Sequence, residues 1–465
     1  MYFDFDNSYL LLKPEMYEII NRTEFRNPEY LIFNDSLSKK LGINEKIKTP
    51  EGALYLSGKN PEIKYAQAYA GHQFGYFNVL GDGRALMLGE HLYKDKRTDI
   101  HLKGSGRTSY SRGGDGKGTL YSMLREYIIS ESLSNMNIPT TRTLAVLKTN
   151  EKIQRAKIEN GGLLVRTAES HIRVGTFQFA ATQSKEHVNE LLEYTISRHF
   201  PELLTKENKP LLFLEEVMNR QIKLVVQWQS IGFIHGVMNT DNMLVSGESI
   251  DYGPCAFMNN YDPNTVFSSI DRDGRYKYAN QPYMASFNIV KLAESLLPLI
   301  DNDIDVAANK LNAIISKFES KFKQEYLKVF SKKLGILKET DYSLELIEEF
   351  LIIMKDNQLD FTNTFKDLTT GHLGNQFDDW VIKWKHIIKG SDHNEVVTLM
   401  RQNNPVIIPR NHIVEDAITK GSTGDLSDLN VLMKYLYNPF DYLIEIENKY
   451  LQSKHDDSYV TYCGT

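Results

Sequence analysis

The sequence has few cysteines, no long apolar run and no excess of basic residues, and each absence excludes a class of protein. Only Cys255 and Cys463 occur among 465 residues, which excludes a disulfide-rich scaffold and a cysteine-rich zinc site but not one redox pair. No run of about 18 apolar residues exists, so neither a transmembrane helix nor a membrane partner is expected. The net charge of −6 argues against a dedicated nucleic-acid-binding protein.

The remaining composition is that of an ordinary globular protein, with 41% hydrophobic and 25% charged residues. A chain of this length can form one large or two moderate domains. The N-terminus, Met-Tyr-Phe-Asp-Phe-Asp, is acidic and lacks the basic region of a signal peptide, so we expect a cytoplasmic location. No internal repeat or low-complexity linker interrupts the chain.

The stretch from residue 231 to residue 253 carries the clearest chemical pattern. Asn242 lies seven residues after His235, and Asp251-Tyr252-Gly253 follows a predicted hairpin with strands at 243–245 and from Ile250. Kinase catalytic loops have this order, and an amide oxygen with a carboxylate can hold Mg²⁺ on nucleotide phosphates. The alternative is a surface hairpin with solvated carboxylates.

One position departs from the kinase pattern. The residue two places after the histidine, where a kinase has its catalytic base, is Val237. Valine cannot accept a proton, so ordinary kinase chemistry is in doubt.

The N-terminal half offers candidate phosphate-binding residues. Residues 81–84 (Gly-Asp-Gly-Arg) form a predicted turn between strands at 77–80 and 85–88, where Gly81 and Gly83 would admit a phosphate and Arg84 would add a charged donor. Most such turns bind nothing.

A strand at 99–103 ends in Lys103, and a helix predicted from Thr119 carries Glu126, the order of the kinase lysine–glutamate pair. Arg166 and Arg173 follow in and after a strand at 162–166 and suit bidentate phosphate contacts. Ordinary surface residues are the alternative for all four side chains. Further predicted elements are a helix at 36–41, a strand at 143–148, and helices at 188–200, 211–231, 287–297, 304–334 and 343–356.

Together these pieces resemble the selenoprotein O family (SelO, also called YdiU) of pseudokinase protein adenylyltransferases. The resemblance covers nearly the whole chain and is carried by ordered motifs: residues 69–75 (YAGHQFG), 81–84 (GDGR), 101–106 (HLKGSG), 111–116 (SRGGDG), 125–127 (REY), 164–175 (LVRTAESHIRVG), 235–242 (HGVMNTDN) and 251–254 (DYGP).

The resemblance implies an α+β, protein-kinase-like bilobal fold. Its expected parts are an N-terminal extension (1–65), a β-rich N-lobe with a helix (66–180), and a mostly helical C-lobe with a C-terminal extension and tail (181–465).

The resemblance also implies an activity: transfer of AMP from ATP to Ser, Thr or Tyr hydroxyls of protein substrates, with UMP transfer from UTP in some members. ATP would bind in an orientation flipped relative to kinases. The implied roles are nucleotide binding by Gly81, Gly83, Arg84, Lys103, Asp115, Gly116, Arg166, Arg173 and Asp251, orientation of Lys103 by Glu126, Mg²⁺ or Mn²⁺ binding by Asn242 and Asp251, and proton acceptance by Asp241.

The family is further reported to join a C-terminal cysteine to one in the loop after the metal site, which suggests a regulatory pair of Cys255 and Cys463. A buried, unreactive Cys255 is the alternative. Two other functions stay open from the residues alone: a kinase that transfers the γ-phosphate, and a non-catalytic ATP sensor.

Overall fold

The computed structural model describes residues 2–21, 25, 27–59, 62–73, 75–454 and 459–462. An antiparallel sheet occupies the N-terminal part of the chain and helices occupy the C-terminal part, which confirms the predicted α+β class. Within these ranges, no helix is long and apolar enough to cross a membrane.

The strands in the described ranges are β1 (Tyr17–Ile20), β2 (Glu29–Phe33), β3 (Lys64–Gln67), β4 (Ala70–Gln73), β5 (Tyr76–Val79), β6 (Ala85–Tyr93), β7 (Lys96–Lys103), β8 (Gly118–Thr119), β9 (Arg142–Gln154), β10 (Ile158–Ala168), β11 (Phe233–Ile234) and β12 (Ala256–Phe257). The α-helices are α1 (Asp35–Lys40), α2 (Pro50–Leu54), α3 (Leu120–Asn135), α4 (Val174–Gln183), α5 (Lys185–His199), α6 (Lys209–Ser230), α7 (Gln281–Ile300), α8 (Ile304–Ile315), α9 (Phe318–Lys333), α10 (Ser343–Asp356), α11 (Phe361–Thr370), α12 (Asp378–Ile387), α13 (His393–Asn403), α14 (Asn411–Gly421), α15 (Ser427–Leu436) and α16 (Asn448–Leu451).

The main sheet has the strand order β1-β3-β6-β7-β10-β9-β2, with β8 paired to β10. The strands predicted at 99–103, 143–148 and 162–166 are confirmed within β7, β9 and β10. Strands β1 and β2, from the segment predicted to be irregular, form the two edges of the same sheet. Both are short and only half-buried, so their sequences lack the long apolar alternation that identifies a strand.

Helix α3 packs against β9 and β10 and holds Glu126 toward the sheet. It begins where the sequence predicts, because the Thr119 side chain accepts a hydrogen bond from the Ser122 peptide N–H. Most of its residues are buried, since α14 and α15 cover the face that the sheet leaves free.

The prediction of one continuous helix at 304–334 is wrong. The segment forms two helices, α8 and α9, which are separated by Ser316 and Lys317. Helix α8 packs on α6 and α7, whereas α9 packs on α6, α10 and α13. One straight helix could not reach both sets of partners, so packing overrides a continuous helical pattern.

Two predicted hairpins are also wrong. The segments 77–80 and 85–88 do not pair, because β5 pairs with β4 in a separate two-stranded sheet while β6 joins the main sheet. Residues 243–250 form no strand pair either. Leu244 bridges to Arg173 and Ser249 bridges to Thr140, so each side of the turn bonds to a different neighbour.

Candidate active site

A cavity of about 700 Å³ lies between the main sheet and the helical part, and it brings together the residues predicted for nucleotide and metal binding. Its lining includes Gly81, Gly83, Arg84, Lys103, Asp115, Gly116, Glu126, Arg166, Arg173, Asp241, Asn242 and Asp251. These residues come from positions 81 to 251, so the fold assembles the site from both halves of the chain.

A compact charge cluster forms one wall of the cavity. The Lys103 Nζ lies 2.5 Å from a Glu126 oxygen and 2.7 Å from Asp251 Oδ1. Arg166 donates from Nε to Glu126 at 2.8 Å and from Nη2 to Asp251 Oδ1 at 2.7 Å. Burial alone would raise the pKa of Asp251, but Lys103, Arg166 and Arg173 hold it well below its usual range. Asp251 is therefore an ionised carboxylate, the form that a metal cation binds.

Local structure fixes the position of Asp251. The ring of His235 donates from Nε2 to the carbonyl of Ile250 at 2.8 Å, which ties the catalytic-loop histidine to the residue before Asp251. Asp251 itself has a φ of 64°, in the left-handed region that non-glycine residues rarely adopt. Such conformations concentrate at functional sites, where surrounding contacts maintain them.

Arg173 is held at the N-terminus of α4 and reaches across the cavity. Its Nη1 donates to the carbonyl of Asp241 at 2.7 Å and lies 3.5 Å from Asp251 Oδ2. The guanidinium stacks over Tyr69 at 4.3 Å from the ring centroid. Its buried Nε has no hydrogen-bond partner among the described residues, and the residue lines the cavity.

Asp241 lies in a 3₁₀ turn, Thr240–Asn242, directly beside Arg173. Burial raises the pKa of its carboxyl to about 6, although Arg173 acts in the opposite direction. Its Oδ1 is buried and has no hydrogen-bond partner within the described ranges. A Cβ at Gly71 would lie 2.3 Å from this oxygen, so a larger residue there would displace the Asp241 carboxyl.

Asn242 and Asp251 are the residues that could hold a metal ion. The Asn242 Nδ2 donates to the carbonyl of Val237 at 3.2 Å, which leaves the amide oxygen free to serve as a ligand. No cluster of three or more His, Cys, Asp or Glu side chains that could hold a metal occurs in the described part of the chain. One carboxylate and one amide suit Mg²⁺, which takes most of its remaining ligands from phosphates and water.

The glycine-rich side of the cavity is packed so closely that side chains larger than glycine would clash. A Cβ at Gly81 would lie 2.4 Å from the Tyr110 ring, and one at Gly116 would lie 2.0 Å from the carbonyl of Gly106. The carbonyl of Arg84 accepts from the Gly104 peptide N–H at 2.7 Å. Asp115 binds the guanidinium of Arg155 at 2.8 Å, so its carboxylate already has a partner.

Asp82 and His101 are among the cavity residues that escaped the sequence analysis. Asp82 accepts from the Gln67 peptide N–H at 3.0 Å and lies 3.4 Å from His101 Nε2 and 3.8 Å from Arg173 Nη2. Burial lowers the pKa of His101, so the ring is neutral at neutral pH. Both had a signal: Asp82 stands inside Gly-Asp-Gly-Arg, and His101 lies two residues before Lys103, on the same strand face.

The predicted cysteine pair stays a prediction, because Cys463 lies outside the described residues. Cys255 is buried, its Sγ donates to the carbonyl of Tyr252 at 3.2 Å, and burial raises its pKa to about 12. The preceding tail lies close by, since Thr461 bridges to Ser268 and donates from Oγ1 to the carbonyl of Pro254 at 2.6 Å.

Comparison with known proteins agrees with this geometry. Residues 1–437 match the family described as "Protein adenylyltransferase SelO". Two similar proteins are each named "Protein nucleotidyltransferase YdiU". One, from Clostridium perfringens strain SM101, is 50% identical over 100% of this chain and 98% of that protein. The other, from Anoxybacillus flavithermus, is 48% identical over 99% of both. The chain therefore belongs to the SelO family of protein adenylyltransferases, which are nucleotidyltransferase enzymes.

Proposed function

We propose that this enzyme transfers AMP from ATP to Ser, Thr or Tyr hydroxyls of proteins and releases pyrophosphate. The observation that carries the proposal is the arrangement of one cavity wall. Three buried cations line the same cavity as Asp241, a carboxyl with an unpartnered oxygen, and one of them, Arg173, contacts it directly. The kinase base position is Val237. This arrangement favours a reaction at the phosphate nearest Asp241, with the other phosphates held by the cations.

In this mechanism, Arg166, Arg173 and Lys103 bind the β- and γ-phosphates, whose charge increases as pyrophosphate leaves. Glu126 and Asp251 hold the lysine and Arg166 in place before the nucleotide binds. Because these side chains are fixed by ion pairs, little reorganisation is needed in the transition state. Asn242 and Asp251 would bind Mg²⁺, or Mn²⁺, which neutralises phosphate charge.

The acceptor oxygen attacks the α-phosphorus, and the bond from the α-phosphorus to the α–β bridging oxygen breaks. The hydroxyl proton moves to the Asp241 carboxylate, and pyrophosphate carries away the bonding electrons. A pKa near 6 keeps Asp241 ionised at neutral pH yet more basic than an exposed aspartate, as a general base requires. UTP would give UMP transfer through the same steps.

Two ATP analogues separate this function from its alternatives. An analogue with an imido bridge between the β- and γ-phosphates should still modify protein, because the α–β linkage is intact. An analogue with a methylene bridge between the α- and β-phosphates should be inert. The opposite pattern would identify a kinase, and binding of both analogues without any transfer from ATP would identify a sensor.

A further inference from the structure

The hairpin of β4 and β5 lies directly against the turn that carries Asp241. The His72 peptide N–H donates to Thr240 Oγ1 at 2.8 Å, and Gly71 leaves room for the Asp241 carboxyl. Gln73, at the end of β4, lines the nucleotide cavity. Strand β4 therefore contacts the turn that carries Asp241, and strand β5 lies on the opposite side of β4 from that turn.

Strand β5 has a free edge. In the described part of the chain it pairs only with β4, with Gly71 opposite Asn78 and His72 opposite Phe77. The Leu80 peptide N–H donates to the carbonyl of Tyr69, so the hydrogen-bonded pairs of this ladder include Asn78. By the alternation of an antiparallel pair, the peptide groups of Phe77 and Val79 point away from β4.

All four side chains of β5 are exposed, and three of them, distributed over both faces of the hairpin, are apolar; the fourth is Asn78. Tyr76 is 78% exposed, Phe77 44% and Val79 55%. Neighbouring residues of a strand point to opposite faces, so neither face of β5 is covered. Ile270, which is 50% exposed, is an apolar residue of the cavity lining, to which Gln73 at the end of β4 also belongs.

We propose that β5 is a docking edge for an extended segment of the protein substrate, which pairs with the outward peptide groups of Phe77 and Val79. This proposal rests on the proposed transfer to protein hydroxyls. Strand addition of this kind obtains affinity from main-chain hydrogen bonds and some selectivity from side-chain contacts. It would suit an enzyme that accepts several substrates, because the backbone is common to all of them.

The geometry also places the acceptor residue relative to the docked segment. A paired strand would lie two strand spacings, about 10 Å, from β4 and so outside the reach of Asp241. Beyond Val79, however, Leu80 and Gly81 line the cavity. A segment that continues along β5 enters the cavity mouth, so the acceptor hydroxyl lies a few residues beyond the paired stretch rather than within it.

A pooled library of synthetic dodecapeptides, each with one central tyrosine, tests the docking edge. With ATP labelled at the α-phosphate, labelled peptides should have alternating apolar residues on one side of the tyrosine and no proline there. A labelled peptide is then resynthesised in two forms, with N-methyl groups on one or on the other set of alternate amides of that side. The form that blocks the amides facing β5 should have a KM about tenfold higher, and the other form should keep the original KM. This arm uses the unaltered enzyme.

Variants of β5 give the complementary measurement. Val79→Pro removes an outward N–H that β4 does not use and should raise the peptide KM about tenfold, whereas Val79→Thr keeps the N–H and should not. Tyr76→Ser should weaken peptide transfer, and Tyr342→Ser, at a tyrosine that is also 70% exposed, should not. ATP affinity should stay at the wild-type value in all four variants.

Several outcomes would overturn the docking edge. They are peptide labelling without any sequence pattern, equal effects of both N-methyl registers, and label on folded proteins but on no peptide. A concentration-dependent dimer that Val79→Pro abolishes would assign the edge to a second copy of this chain instead. An enzyme that binds ATP but labels neither peptide nor protein would contradict the proposed function itself, which is a distinguishable failure.

Discussion

Replacing Arg173 by glutamine tests whether the buried cations bind the outer phosphates. The side chain has a buried, unpartnered Nε and lies 3.5 Å from Asp251, which places it beside the proposed phosphate site. Loss of one charge-assisted hydrogen bond to a phosphate costs about 1.5–3 kcal/mol, or roughly ten- to a hundredfold in affinity. We expect that loss for ATP and little loss for AMP, which lacks the outer phosphates.

The comparison of two nucleotides isolates the phosphate contact from damage to the protein. Arg173 also holds the carbonyl of Asp241, and losing that contact would weaken the binding of both nucleotides equally. Isothermal titration calorimetry on wild type, Arg173→Gln and Arg173→Lys gives the two affinities, and the lysine variant should be intermediate because it keeps the charge. Arg220→Gln, at a half-buried arginine outside the cavity, is the control. Equal losses for ATP and AMP would refute the assignment.

Three further predictions concern the metal site, the general base and stability. Asp251→Ala should abolish AMP transfer, and Asn242→Ala should lower its rate strongly. An unchanged rate of the Asp251→Ala variant at saturating Mg²⁺ and ATP would exclude Asp251 as a metal ligand. Because the pKa of Asp241 is about 6 and the base must be ionised, kcat/KM should fall as the pH drops below 6. Asp241→Asn should be slow and should lose this acidic fall in kcat/KM. If the acidic fall persists in the variant, it belongs to another group. Burial lowers the pKa of Lys333 from 10.5 to about 7, so the folded state binds this proton less tightly than the unfolded state. The free energy of unfolding should therefore rise by up to about 1.4 kcal/mol per pH unit between pH 7 and pH 10.5. Lys333→Met should therefore raise the unfolding temperature more at pH 7 than near pH 10, and an equal gain at both would exclude this titration.

The sequence predicted which residues come together in the cavity better than it predicted the fold around them. Lys103 and Glu126 lie 23 positions apart, yet their pairing was predictable because each stands at a fixed place in a strand–helix order. The presence of Asn242 and Asp251 in one cavity was predictable for the same reason, and their role as metal ligands stays a prediction. The spacing of these residues along the chain is the one that nucleotide and metal binding require in kinase-like proteins, so it can be recognised in a single sequence.

What the sequence could not predict depended on contacts between distant segments. The break between α8 and α9 follows from different packing partners on the two sides of Ser316. The failure of the 243–250 hairpin follows from bonds to Arg173 and Thr140, which local turn composition does not reveal. Asp82 was passed over because its importance comes from burial next to His101 and Arg173, and burial is a property of the fold.

ATP labelled at either the α- or the γ-phosphate tests the central claim, that the enzyme transfers a nucleotidyl group. Incubation of the enzyme, Mg²⁺ and the peptide library with each ATP in turn shows which phosphate reaches the acceptor. We expect stable label from the α-position only, with the γ-label recovered as pyrophosphate, and much slower α-labelling by Asp241→Asn. Label from the γ-position on the peptides would contradict nucleotidyl transfer and identify the enzyme as a kinase.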